Sequence, residues 1–187
     1  MGQVLWHVTM SLDGFIAGPR DDMTWLADYL DPNPTADEVL ARVGALLIGD
    51  RTYQIAKTEE GKPYGGKWTG PQFVLSHHPP KDPPAGFRFL SGDIEKAVAT
   101  AKAAAGDKYV VVLGADTARS CLNTGMLDEI LVHIAPVLLG DGVRLHEHPG
   151  GTNIKLERIN LTESPQVTDL WLRVVSRELL HRLTQGG

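Results

Sequence analysis

Short apolar runs alternate with amphipathic stretches along the chain, and the alternation predicts strands and helices in turn. Val4 to Met10 is apolar except for His7 and Thr9 and reads as a strand buried on both faces. Ala45 to Ile48 and Tyr109 to Leu113 are continuous apolar runs closed by Gly49 and Gly114, each leading into helix-forming sequence. Phe73 to Leu75, Phe87 to Leu90 and Ile130 to Ile134 predict further strands. Ile154 to Leu161 and Val167 to Val175, joined around Ser164-Pro165, read as an antiparallel hairpin closing the sheet. Helices are predicted from Thr35, with Glu38 at capping-box spacing, from Asp50, over Asp93 to Ala105 with Gly106 as terminator, and over Ala115 to Thr124 with Asp116 or Thr117 near its N-cap. A short amphipathic piece, Asp22 to Leu26, is stopped by Asp31-Pro32-Asn33-Pro34, and the Gly-, Lys- and Pro-rich stretch Glu59 to Pro71 reads as an exposed loop.

The first strand runs into Ser11-Leu12-Asp13-Gly14-Phe15-Ile16-Ala17-Gly18, a Gly-punctuated loop too apolar in its middle for idle solvent exposure. A carboxylate and several apolar side chains at the carboxyl end of a buried strand suit a flat, partly apolar ligand. Asp13 is either a turn residue before glycine or a functional group. Two further strands that end in glycine and feed a helix place backbone N–H groups along one sheet edge, which suits phosphate. Arg51 in such a first turn opposes the helix dipole unless an anion lies nearby. Trp25 reads as core or as the lid of a pocket.

Composition narrows the class. With 187 residues, 42% hydrophobic and 22% charged, the chain is expected to form one globular domain, residues 1–187. The 20 glycines exceed the roughly 7% typical of proteins and point to tight turns or backbone contacts with ligand. A net charge of -5 without a basic cluster argues against nucleic acid as a partner, and no apolar run suits a membrane span. The lone Cys121 and the lack of a signal-peptide pattern lead to a cytoplasmic expectation. No metal is expected: His77-His78 and His146-Glu147-His148 are loop pairs without carboxylates at ligand spacing. His7 and His133, inside apolar runs, read as hydrogen-bonded core histidines.

The segments Met10 to Gly18, Leu47-Ile48-Gly49-Asp50-Arg51-Thr52-Tyr53 and Pro136-Val137-Leu138-Leu139-Gly140-Asp141-Gly142 together resemble the dihydrofolate-reductase-like superfamily, and within it stand-alone relatives of the riboflavin-biosynthesis reductase domain. That resemblance implies an α/β fold with a mixed, mostly parallel eight-stranded sheet flanked by helices, with NADPH bound across its carboxyl edge. It implies cofactor roles for Val8 and Thr9 at the carboxamide, for Ile16, Ala17 and Gly18 at the nicotinamide, for Gly49, Arg51, Thr52, Gly114, Ala115, Asp116 and Thr117 around the phosphates, and for Ser76 and His77 at the adenosine end. Asp13 is expected to be catalytic, orienting substrate or a proton-relay water, with Trp25, Leu139 and Gly140 beside it at the substrate.

Two departures refine these expectations. Gly114-Ala115 stands where the superfamily usually has Gly-Gly. Asp28, Asp31 and Asp37 give no clear match to the acid that protonates a pterin in dihydrofolate reductases. The expected activity is NADPH-dependent reduction of a small heterocyclic, pterin- or pyrimidine-like, or carbonyl substrate by direct hydride transfer. The alternative is a nucleotide- or pterin-binding protein that keeps the fold without turnover. The hairpin, with Leu170 and Leu172 on one face and Trp171 and Val175 on the other, predicts a homodimer, unless the Glu178 to Leu183 tail covers the second face.

Overall fold

The computed structural model describes residues 2–30, 32–58 and 62–175. Along them run β1 (Val4–Ser11), β2 (Phe15–Ala17), α1 (Pro34–Arg42), β3 (Val43–Gly49), α2 (Asp50–Ala56), β4 (Gln72–Leu75), β5 (Phe87–Leu90), α3 (Ile94–Ala105), β6 (Tyr109–Leu113), α4 (Ala115–Asn123), β7 (Glu129–Ala135), β8 (Val143–Arg144), β9 (Leu156–Glu163) and β10 (Thr168–Val174). Eight strands form a mixed sheet in the order β5-β4-β3-β6-β1-β7-β10-β9, as the resemblance implies, and β2 and β8 form a separate ladder. The pairings from β5 through β1 are parallel, and those of β10 are antiparallel. The chain gathers into two compact units, one from the residues up to His7 with Asn33–Leu127, the other from Val8–Pro32 and the residues from Asp128 on.

In the first unit, β3 and β6 are uninterrupted apolar runs because both faces of a parallel sheet are covered. Leu46, Leu47 and Ile48 pair with Val111, Val112 and Leu113, and all but Leu113 are fully buried. Tyr53 of α2 packs edge-on to Phe87 and Phe89, 5.0 Å from each ring. Helix α3 starts on Asp93, whose carboxylate accepts from Lys96 N–H, and ends at Gly106 (φ 65°). Helix α1 begins earlier than its predicted cap. The Asn33 side chain accepts from the N–H groups of Thr35 and Ala36 at 2.8 and 3.1 Å, so Thr35 lies inside the helix and Glu38 pairs with Arg42 instead of closing a capping box. Asparagine is as good a cap as threonine, and Pro34 takes the first helical position, where its missing N–H costs nothing.

The predicted exposed loop before β4 is also more structured than expected. Pro63–Gly66 forms a tight turn with Tyr64 at φ 56°, and its ring comes within reach of His7. Trp68 fastens the same segment by donating from Nε1 to the Val43 carbonyl.

The second unit contains the hairpin, with a bulge at Trp171/Leu172. Trp171 and Val175 are buried, while Leu170 and Leu172 are half-buried. His133 is a hydrogen-bonded core histidine, its Nδ1 2.6 Å from Asp169, which also accepts from the Thr162 hydroxyl; Trp171 donates to Glu129 at 2.9 Å. Phe15–Ala17, expected as loop, is a strand. It pairs with Val143–Arg144 and is buried, since its apolar residues find cover far away in sequence. Asp31 and Glu59 at two of the predicted breaks, and the Glu178 to Leu183 tail, lie outside the described residues. No helix among those described is long and apolar enough to cross a membrane.

Candidate functional site

In the first unit the parallel neighbours β3 and β6 end on Gly49 and Gly114, and each glycine is the N-cap of the helix that follows. Three residues on, Thr52 and Thr117 reach across to the opposite glycine. A Cβ on Gly114 would lie 2.2 Å from the Thr52 Oγ1, and one on Gly49 would lie 2.8 Å from the Thr117 Oγ1. Gly114 also has φ 93°, a conformation that side chains rarely adopt, whereas Gly49 is ordinary extended backbone. Strand, glycine and threonine thus recur twice and interlock.

Neither of these helices receives a side-chain cap. Asp116 and Thr117, expected near the cap of α4, do other things. Asp116 turns outward to Arg119 at 3.2 Å, and Thr117 is buried against Gly49. The first amides of α4 are therefore not occupied by the carboxylate that could compete with an anion. Ala115, in place of a second glycine, is buried without a special backbone angle. Arg51 is exposed in the first turn of α2, and His77 is exposed just past β4. Ser76 is buried at 2% exposure, its Oγ accepting from His78 N–H at 3.0 Å while its own proton remains to be donated. Backbone N–H groups, hydroxyls and two positions without Cβ at the carboxyl ends of parallel strands fit the phosphates of a dinucleotide.

In the second unit Asp13 joins two loops. Its carboxylate accepts from Ser11 Oγ at 2.6 Å, Gly140 N–H at 2.7 Å and Leu139 N–H at 3.1 Å. The Ser11 hydrogen bond, with smaller help from the Gly140 and Leu139 amides, lowers its pKa to about 2. Asp13 is thus a fixed anion at neutral pH, able to orient a donor but not to give up a proton. Ser11 Oγ also accepts from Phe15 N–H, and Leu12 N–H donates to the Val137 carbonyl. The arrangement brings Asp13, Leu139 and Gly140 together, with Leu12 and Leu138 left 66% and 69% exposed beside them.

Ile16, Ala17 and Gly18 are buried, and a Cβ on Gly142 would lie 2.1 Å from the Ala17 carbonyl oxygen, so the two segments touch through their backbones. Val8 and Thr9 are half-buried on β1. Trp25 sits on the Thr24–Tyr29 turn beside the Tyr29 ring, its buried Nε1 without a hydrogen-bond partner among the described residues. Sequence reasoning assigned nothing to Tyr64. The available signal was an aromatic residue followed by Gly65-Gly66, a pair that permits a left-handed turn.

Comparison with known proteins agrees with this architecture. The chain is similar to a putative riboflavin biosynthesis protein from Shewanella sp. PV-4, with a TM-score of 0.78 at 22% identity, covering 94% of this chain and all of that one. It is also similar to a diaminohydroxyphosphoribosylaminopyrimidine deaminase/5-amino-6-(5-phosphoribosylamino)uracil reductase from Thermotoga maritima, with a TM-score of 0.68 at 17% identity, covering 93% of this chain and 57% of the other. The Bacillus subtilis protein YwjB is 23% identical over 154 residues, 81% of this chain and 87% of its own length. Residues 3–170 match the family model of the RibD C-terminal domain, and the chain belongs to that family, with its dihydrofolate-reductase-like fold.

Proposed function

We propose that this protein is an NADPH-dependent reductase of a small heterocyclic substrate of pyrimidine type. Family membership supports an oxidoreductase, and the Thermotoga relative carries uracil reductase in its name. The observation that carries the cofactor reading is the paired start of α2 and α4 on glycine, without side-chain caps and with Thr52 and Thr117 crossed over them. A bound reduced nicotinamide supplies the hydride. Gly49, Thr52, Gly114 and Thr117 hold phosphate through amides and hydroxyls, and Arg51 and Ser76 select the 2′-phosphate. Asp13 holds its two loops in place and orients the substrate as an anion.

Calorimetric titration of NADPH and NADH into the parent protein and into Arg51→Ala tests the assignment. Loss of a hydrogen bond to a charged group costs about 1.5–3 kcal/mol, so NADPH should bind roughly ten- to a hundredfold more weakly in the variant while NADH hardly changes. Equal affinities in the parent, or equal losses in the variant, overturn the NADPH assignment. NADPH oxidation over a panel of pyrimidines and pterins then separates a reductase from a protein that binds nucleotide without turnover.

The hairpin supports a homodimer. Leu156 and Leu161 of β9, opposite Val174 and Leu170 on one face of the hairpin, are 39% and 51% exposed, apolar surface that a second copy would cover. Light scattering that returns the 20.3 kDa monomer at micromolar concentration overturns it.

A further inference from the structure

We propose that Asp141 is a spontaneous modification site: its carboxyl cyclises onto the Gly142 nitrogen and reopens as isoaspartate, and the lengthened main chain then releases the Asp13 clamp. The chemistry is the chain's own and holds whether or not a substrate is reduced. The sequence contains two Asp-Gly pairs, Asp13-Gly14 and Asp141-Gly142, and both lie in the second unit. Glycine as the second residue leaves the attacking nitrogen unshielded, so both pairs are competent in an unfolded chain.

The fold treats the two pairs differently. Asp141 is exposed, and its Oδ1 lies 2.8 Å from the Gly142 nitrogen. That N–H has no backbone acceptor among the described residues, so the nitrogen stays beside the carboxyl it must attack. Asp13 is placed the other way. Its oxygens are turned to Ser11 Oγ, Leu139 N–H and Gly140 N–H, while Gly14 N–H donates to the Ser11 carbonyl at 3.0 Å. Both partners of that pair are engaged elsewhere. Ring closure also needs a protonated carboxyl, and Asp13, with its pKa lowered to about 2, is rarely protonated.

Ring closure joins the Gly142 nitrogen to the Asp141 Cγ, and the carboxyl hydroxyl leaves with the amide proton as one water. A cyclic imide results. Water then adds back to either imide carbonyl, and opening at the former main-chain carbonyl routes the backbone through Cγ, with mass unchanged and no oxidant or reductant required. The main chain gains one carbon–carbon bond, about 1.5 Å. That extra length falls between two fixed points. Gly140 N–H holds Asp13 Oδ2 at 2.7 Å, and Gly142 packs so closely on the Ala17 carbonyl that no Cβ fits. The first is one hydrogen bond at the surface and the second is backbone packed on backbone, so Gly140 yields and Asp13 loses a donor.

The test incubates the full chain warm at about pH 5.5, folded and unfolded in urea, until the urea sample has isomerised, and locates isoaspartate by peptide mapping with fragmentation. In urea both pairs should isomerise at similar rates. In the folded protein isoaspartate should accumulate at least about tenfold faster at 141 than at 13, because the Asp13 carboxyl is seldom protonated and the Gly14 nitrogen is engaged. Asp141→Glu would have to close a larger, slower-forming ring, so it should show no isomer at that position, and it should melt like the parent because the side chain is exposed. The effect on the clamp is read from the Asp13 side-chain carbon signal in NMR. Its titration midpoint should move from about 2 toward 3.8 in the aged parent and stay at about 2 in Asp141→Glu incubated alongside. No isoaspartate at 141 in the folded protein, equal accumulation at 141 and 13, or an aged protein whose Asp13 keeps its midpoint overturns the proposal.

Discussion

Helices α1 and α3 begin on side chains that fold back onto their first amides, Asn33 and Asp93, whereas α2 and α4 begin on Gly49 and Gly114 with no side chain in that place. All four belong to the first unit, and α2 and α4 follow neighbouring parallel strands. A capped helix start has one or two of its four orphan donors satisfied by its own side chain, a contribution to stability that needs no ligand. The uncapped pair has no side chain on its first amides, and the threonines three residues on pack against the opposite glycines. On the proposed cofactor reading, the difference separates helices that build the fold from helices that serve a ligand.

The sharpest way to break this comparison is Gly114→Ala. The new Cβ would meet Thr52 Oγ1 at 2.2 Å, and φ 93° would be held by a residue with a side chain. Such backbone strain and overpacking each cost about 1–3 kcal/mol, so a loss of about 3 kcal/mol in urea unfolding is expected, with loss of NADPH binding. Adding Thr52→Ala should recover only the steric part, because the backbone angle remains. A Gly114→Ala protein as stable as the parent would show that the interlocked glycines are not required.

Asn33→Ala probes the other side. Removing a cap costs about 1 kcal/mol, and unfolding should register that loss while calorimetric NADPH affinity stays at the parent value. If affinity falls along with stability, capped and uncapped starts are not functionally distinct.

The Asp13 clamp should respond to acid rather than to neutral pH. Its pKa is lowered from 3.8 to about 2, so the stabilisation it gives is complete above about pH 4 and is lost as pH falls toward 2. The Leu139 and Gly140 amide signals in NMR should move together over that window and stay flat from pH 5 to 8. A midpoint near 4 for those amides would mean that the three donors do not hold the carboxylate.

Much of the fold was legible because β3, β6 and α3 carry their signals locally, in a closed apolar run or an alanine-rich stretch bounded by Asp93 and Gly106. Local pattern does not carry what distant partners decide. Asp13 meets Leu139 and Gly140 across 126 and 127 positions, a neighbourhood implied only by the family resemblance, and Phe15–Ala17 becomes a strand only because Val143–Arg144 lies beside it. No periodicity within a short window records such a pairing. The cap of α1 was misplaced for a different reason. Thr35 and Glu38 have capping-box spacing, but Pro34 favours the first helical position and moves the start back to Asn33.

Asp116→Asn should have the smallest effect and sharpen the comparison most finely. In α3 the carboxylate of Asp93 is turned onto the helix start, while in α4 Asp116 is 76% exposed and paired sideways with Arg119. Exposed pairs contribute little, so Asp116→Asn should shift unfolding by less than about 0.5 kcal/mol. It also removes a negative charge from the first turn of α4, where the proposed phosphate binds and a like charge repels it. NADPH should then bind about two- to fivefold more tightly in low salt, as expected for about 0.3–1 kcal/mol of charge interaction at a helix end, and the gain should shrink as salt rises. Unchanged or weaker NADPH binding in Asp116→Asn would mean that no phosphate approaches the start of α4, and that its missing cap reflects only the packing of Gly114 against Thr52.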